Sequence, residues 1–183
     1  MDCNEKLVPF GVLNLSTNES EIIFGTSSET SDFIVDSLET WWDKNHDNNP
    51  DIKTLVINLD NGPQISSNRT QFLKRMVEFS NKINRVIHLV YYPPYHSKYN
   101  PIERYWGNLE CHWNGQLLDS VHKAVAWASS MTWKGIKATI SVVNKIYEKG
   151  VSLSKGEMEK YQSQIVRSDI LPKWDVKILP VGD

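Results

Sequence analysis

Two short apolar runs with one amphipathic stretch between them limit the possible folds of this chain more than any other feature. Thr54-Leu55-Val56-Ile57-Asn58-Leu59 and Val86-Ile87-His88-Leu89-Val90 have strand length and a nearly unbroken apolar character. Runs of that kind suit strands covered on both faces, and the first reads as a central strand. From Asn68, the residues Phe72, Leu73, Met76, Phe79 and Ile83 mark a single helix face. Strand, helix and strand from 54 to 92 then form a parallel crossover, which sheet twist makes right-handed. In sheets of this kind ligands bind beyond the carboxyl ends of the strands.

Both ends carry polar chemistry. The first run stops at Asp60-Asn61-Gly62-Pro63, and the second stops at Pro93-Pro94, because proline has no N–H to give a ladder. Asn100-Pro101 opens a helix, with Asn at the N-cap and Pro at the first helical position. Glu103 falls in its first turn, where the positive end of the helix dipole favours an ionised carboxylate. Asp60 and Glu103 have 42 residues between them, yet the topology is expected to bring both to one rim, a place suited to a metal ion. Each also has a plainer reading. Asn100-x-x-Glu103 matches a capping box, and Asp before Asn-Gly is ordinary turn chemistry. The residues alone leave both readings open.

Outside this unit the chain alternates between strand and helix patterns. Residues 8–16 form a strand, 17–20 a turn, and 21–25 the second strand of a hairpin. Ser31 caps a helix carrying Phe33, Ile34, Leu38, Trp41 and Trp42 to about Lys44, and 43–50 is a loop. The helix from Asn100 runs to about Trp113 and ends at Asn114-Gly115. Ser120 caps another with Val121, Val125 and Trp127, which breaks at 132–135. Residues 139–149 are expected to be a helix with Ile140, Val143, Ile146 and Tyr147 on one side. The tail from Ser152 is polar, with Pro172, Trp174 and Pro180 suggesting an extended end. The expected division is a core over 1–150 and an extension over 151–183 packed on it.

Composition narrows the function. The 183 residues are 40% hydrophobic, enough for a core. No apolar run is long enough to span a membrane, and residues 1–6 lack the pattern of a signal peptide. Cys3 and Cys111 form no CxxC pair, so a zinc site or disulfide framework is not expected, and a reducing cytoplasm is the expected compartment. The net charge of −2 conceals an asymmetry: residues 1–50 hold 10 acids and 2 Lys/Arg, and residues 51–183 hold 12 acids and 18 Lys/Arg, giving −8 and +6. Arg69, Lys74, Arg75, Lys82, Arg85, Lys98 and Arg104 belong to the basic part. They read either as solvated helix faces or as a phosphate-tracking surface.

The run Tyr92-Pro93-Pro94-Tyr95-His96-Ser97-Lys98-Tyr99-Asn100-Pro101-Ile102-Glu103-Arg104-Tyr105-Trp106 resembles the third-carboxylate motif of DDE-type transposases of bacterial insertion sequences, in their mariner-related branch. Leu55 to Gln64, followed by Ser67-Asn68-Arg69, is similar to the second-carboxylate block. Glu110 to Asp119 is similar to the segment after the third carboxylate, and Val8 to Val12 to the strand after the first. The 42-residue gap is longer than is usual in that branch.

This resemblance implies an α/β, ribonuclease H-like mixed sheet flanked by helices, with extra C-terminal helices. It implies metal-dependent DNA strand cleavage and transfer, with Asp60 and Glu103 as catalytic metal ligands. Two-metal phosphoryl transfer needs carboxylates that hold divalent ions about 3.5–4 Å apart. Mg²⁺ or Mn²⁺ suits hard oxygen ligands, and a two-metal site is expected if the ligand set is complete. DNA at element ends is the implied partner. Arg69, His96, Lys98 and Arg104 are the candidate DNA contacts, and Tyr95, Tyr99 and Trp106 are candidates for base stacking, with core packing the better reading for Trp106, three residues after Glu103 on its helix. The family's first strand and first Asp have no match here, because only Met1 to Leu7 precede the hairpin. The expectation is therefore an N-terminally truncated core, inactive alone and missing that strand, with a transposase fragment or a second copy as possible partner. The alternatives are a DNA- or transposase-binding remnant and another ribonuclease H-like nuclease.

Overall fold

The computed structural model describes residues 6–48, 50–93, 99–115 and 120–181. In chain order the elements are β1 (Val8–Leu13), β2 (Ser20–Gly25), α1 (Ser31–Asn45), β3 (Thr54–Leu59), α2 (Thr70–Ile83), β4 (Val86–Tyr91), α3 (Pro101–Trp113), α4 (Val121–Ser130), β5 (Thr132–Trp133), β6 (Ile136–Lys137), β7 (Thr139–Val143), α5 (Lys155–Gln162), β8 (Ile165–Arg167) and β9 (Asp175–Ile178). They form a mixed α/β protein divided into two compact units, residues 1–29 with 101–147 and residues 30–100 with 148–183.

In the first unit β1 and β2 form the expected antiparallel hairpin, with Val8 opposite Gly25 and Leu13 opposite Ser20. β7 pairs with β2 in parallel, from Glu21 beside Thr139 to Gly25 beside Val143. This overturns the helix expected over 139–149. Thr139, Ile140, Val142 and Val143 are β-branched, and their stiff χ1 favours a pleated surface next to a partner strand. The apolar spacing that suggests a helix breaks at Ile146, which is 87% exposed. Residues 132–135 do more than break a helix. Lys134 and Gly135 have φ of 48° and 84°, as a two-residue hairpin joining β5 to β6 demands.

The core of this unit gathers Ile22, Phe24, Tyr105, Leu109, Ala128 and Met131, with Trp106, Trp113, Trp133 and Ile140 partly buried against them. Backbone and ring approach closely at one point. A Cβ on Gly11 would lie 2.6 Å from Cζ2 and 2.8 Å from Cη2 of Trp106. Gly11→Ala is therefore expected to destabilise the chain by about 1–3 kcal/mol through overpacking. Chemical denaturation of the variant checks this, and an unchanged midpoint would show that the ring has room to yield.

In the second unit β3 and β4 pair in parallel, Thr54 beside Val86 through Leu59 beside Tyr91, as the crossover reading requires. β9 continues the sheet antiparallel to β4, and β8 follows, for the order β3-β4-β9-β8. β3 thus stands at an edge, with Val56 54% exposed, where its apolar run suggests a central strand. Val176 and Ile178 of β9 are fully buried. α5 begins with a capping box, Ser154 accepting from the Glu157 N–H while the Glu157 carboxylate accepts from the Ser154 N–H. That carboxylate is held below its ordinary range by the Ser154 hydroxyl and N–H.

α1 and α2 face each other across an ion-pair network. Arg75 reaches Asp32 at 2.8 Å, Asp36 at 2.7 Å, Glu39 at 3.2 Å and Glu78 at 3.3 Å. Burial opposes its charge, but hydrogen bonds to Asp36 and Asp32 outweigh that and raise its pKa further above the ordinary value. Lys82 bonds Glu39 and Asp43, and Lys74 lies 3.6 Å from Glu78. These three cations answer acids of their own unit, which argues against a phosphate-tracking role for them. No helix among the described residues is long and apolar enough to cross a membrane.

Candidate functional site

Asp60 directly follows β3 in the second unit and is exposed. Its carboxylate does make the turn that Asp-Asn-Gly implies, with Oδ1 accepting from the Gly62 N–H at 3.2 Å. A Cβ on Gly62 would lie 3.3 Å from that oxygen, so the turn also favours a residue without a side chain. Oδ2 has no protein hydrogen bond among the described residues.

Beyond the turn, the loop into α2 is tied down from several directions. Ile65 N–H bonds Gly62 O at 3.1 Å, and Arg69 N–H bonds Ser66 O at 2.9 Å. Three side chains also donate to loop carbonyls: Ser31 Oγ to Gln64 O at 2.7 Å, Tyr91 OH to Ile65 O at 2.8 Å, and Arg167 Nη2 to Ser67 O at 2.6 Å. Tyr91 ends β4, in register with Leu59 and so one residue from Asp60. Burial pushes its phenol well above the ordinary pKa, with Arg167 acting in the opposite direction, so the hydroxyl remains a donor.

Sequence reasoning misses all three of these side chains. Ser31 reads as a helix cap, but Thr30 fills that role, its Oγ1 accepting from Phe33 N–H at 3.2 Å. The Ser31 hydroxyl is thereby left for Gln64. Arg167 lies in a segment that reads only as polar tail. Its one sequence signal is the alternation Asp175-Val176-Lys177-Ile178, which marks the neighbouring strand.

Glu103 lies in the first turn of α3 in the other unit and is exposed. It makes no hydrogen bond or ion pair among the described residues. The helix opens at Pro101 as expected, and Asn100 before it is buried. Arg104 is exposed beside Glu103. Tyr105 is buried, with its ring edge-on to Trp106 and Trp133 at 5.7 Å each, so Trp106 belongs to the core and not to a stacking platform. Arg69 sits at the entry to α2, and its Nη2 donates to Val151 O at 3.0 Å. Tyr95, His96 and Lys98 lie outside the described residues.

A strand that ends in a carboxylate and a helix that opens on another are the two blocks that carry the DDE resemblance. A sequence profile described as the Rhodopirellula transposase DDE domain matches residues 2–180. The chain belongs to that family. It is a transposase domain of the DDE type, and the match runs across both units. No curated protein and no solved structure matches it. Among the described residues of this DDE domain, no group of three or more His, Cys, Asp or Glu side chains stands ready to hold a metal. The donors present are nonetheless of the right kind: exposed carboxylate oxygens suit a hard divalent ion, and few are needed where the ion keeps its waters.

Proposed function

We propose that this DDE domain carries two of the metal-holding carboxylates of a transposase, Asp60 and Glu103, for cleavage and transfer of DNA strands at the ends of a mobile element. The observation that carries this reading is the profile match over both carboxylate blocks, together with the exposure of both side chains. Asp60 and Glu103 would hold a pair of Mg²⁺ or Mn²⁺ ions. Such ions, once bound, activate the attacking oxygen and stabilise the leaving one. The protein's part is to hold Asp60 on a fixed turn and to present Glu103 from the first turn of α3. Arg104 beside it, with His96 and Lys98, would meet the phosphate backbone.

A ribonuclease H-like site of the mariner-related kind needs a further Asp on a central strand. β3 offers a place for that strand. Among the described residues it pairs only with β4, and it carries no charge, Pro or bulge to protect its other edge and leaves Val56 exposed. We propose that the Asp-bearing strand, from a preceding segment or a separate transposase fragment, adds to this edge and that joining depends on it. Incubation with element-end duplex and Mg²⁺ tests the reading. The expected result is joined product only when that strand is supplied. Robust joining by this chain alone would overturn the dependence. DNA cutting without joining would point to a nuclease, and salt-sensitive binding with no metal dependence to a binding remnant.

A further inference from the structure

The loop after β3 is not a passive connection. Three hydrogen bonds along the turn lead from the Asp60 carboxylate to the interior, joined through the backbone of Gly62 and Ile65: Oδ1 accepts from Gly62 N–H, Gly62 O accepts from Ile65 N–H, and Ile65 O accepts from the Tyr91 hydroxyl. A second path enters the same turn from the other side, because Gln64 O, in the peptide unit that carries the Ile65 N–H, accepts from Ser31 Oγ. The two peptide units flanking Ile65 are therefore clamped by hydroxyls from two separate elements, β4 and α1. Tyr91 is 3% exposed and Ser31 1% exposed. Away from water each bond is stronger and each unmade bond more costly. A donor on Gln64 O also polarises the Ile65 N–H of that peptide, which tightens its bond to Gly62. Outer hydrogen-bond partners of this kind fix ligand orientation at metal sites.

We propose that Tyr91 and Ser31 are positioning residues for Asp60: their hydroxyls set the turn that holds one carboxylate oxygen to Gly62 and leaves the other for a divalent cation. The proposal rests on the reading of Asp60 as a metal ligand. It adds that the affinity of that ligand is set by two groups that never touch the ion.

The test uses the full chain and Mn²⁺ alone, with binding followed by loss of the free-ion electron paramagnetic resonance signal and thermal midpoints measured in parallel. Four variants are compared: Tyr91→Phe, Ser31→Ala, Asp60→Asn, and Tyr91→Phe combined with Asp60→Asn. Asp60→Asn is expected to abolish the tighter binding. Tyr91→Phe is expected to weaken it about tenfold. On the Asp60→Asn background Tyr91→Phe should leave the residual binding unchanged, yet lower the thermal midpoint as much as it does alone. That split separates positioning from general stability. Should Tyr91→Phe fail to fold, Ser31→Ala carries the same comparison. If Asp60→Asn weakens binding and neither hydroxyl variant does, the positioning proposal falls and the metal reading stands. If Asp60→Asn leaves binding unchanged, the metal reading falls and takes the proposal with it.

Discussion

Asp60→Asn and Glu103→Gln are each expected to reduce strand joining by about three orders of magnitude, in an assay where the complete carboxylate set is present. A metal that stabilises charge in phosphoryl transfer supplies several kcal/mol, and each 1.4 kcal/mol is a factor of ten. Both substitutions keep size and shape and remove the charge. Both side chains are exposed, so the fold should not notice: thermal midpoints should stay near that of the parent. Quantifying joined product against time, with the midpoint measured on the same preparations, checks both halves. Joining that survives either change would remove that residue from the site. A fall in both joining and midpoint would mean that the residue holds the structure and does not serve the chemistry.

The second large effect belongs to Arg75. Its side chain is 16% exposed and faces Asp32, Asp36, Glu39 and Glu78. Arg75→Ala leaves Asp32 and Asp36 without their cation, while Glu39 keeps Lys82 and Glu78 keeps Lys74. Breaking a buried pair costs about 3–5 kcal/mol, and the partial exposure of the carboxylates reduces that to about 2–3 kcal/mol. The deficit should shrink in high salt, because screening weakens the attraction in the parent and the repulsion in the variant. Urea unfolding at low and high ionic strength gives the comparison. A loss independent of salt would assign the effect to packing of the arginine stem.

The crossover is legible because its signals agree with one another. The apolar runs of β3 and β4, the single apolar face of α2 and the polar stops after each strand all point the same way, and the strands pair in parallel as expected. Pro101 and Ser31 mark helix starts to within a residue. Ile140 and Val143 mislead, since short apolar spacing serves a helix or a strand and the parallel partner that decides between them is β2, more than a hundred residues earlier. Ser154-x-x-Glu157 marks the start of α5, but Pro172 and Pro180 further along draw attention to an extended tail. For the candidate site, the sequence motifs propose Asp60 and Glu103, and nothing in them marks the groups that hold the turn after Asp60. Tyr91, Ser31 and Arg167 act on carbonyls, and a backbone acceptor leaves no mark on sequence.

β9 settles between β4 and β8, and its partner His88 meets Asp175 at 2.9 Å across 87 positions of sequence. A ribosome therefore releases the beginning of that sheet long before it makes the strand that closes it. Until then the second edge of β4 is uncovered, and pairing so remote is slow to nucleate. The nascent chain passes through a stage in which unpaired strand invites the wrong neighbour, and expression of this protein should benefit from slow translation or a chaperone more than its size alone would suggest.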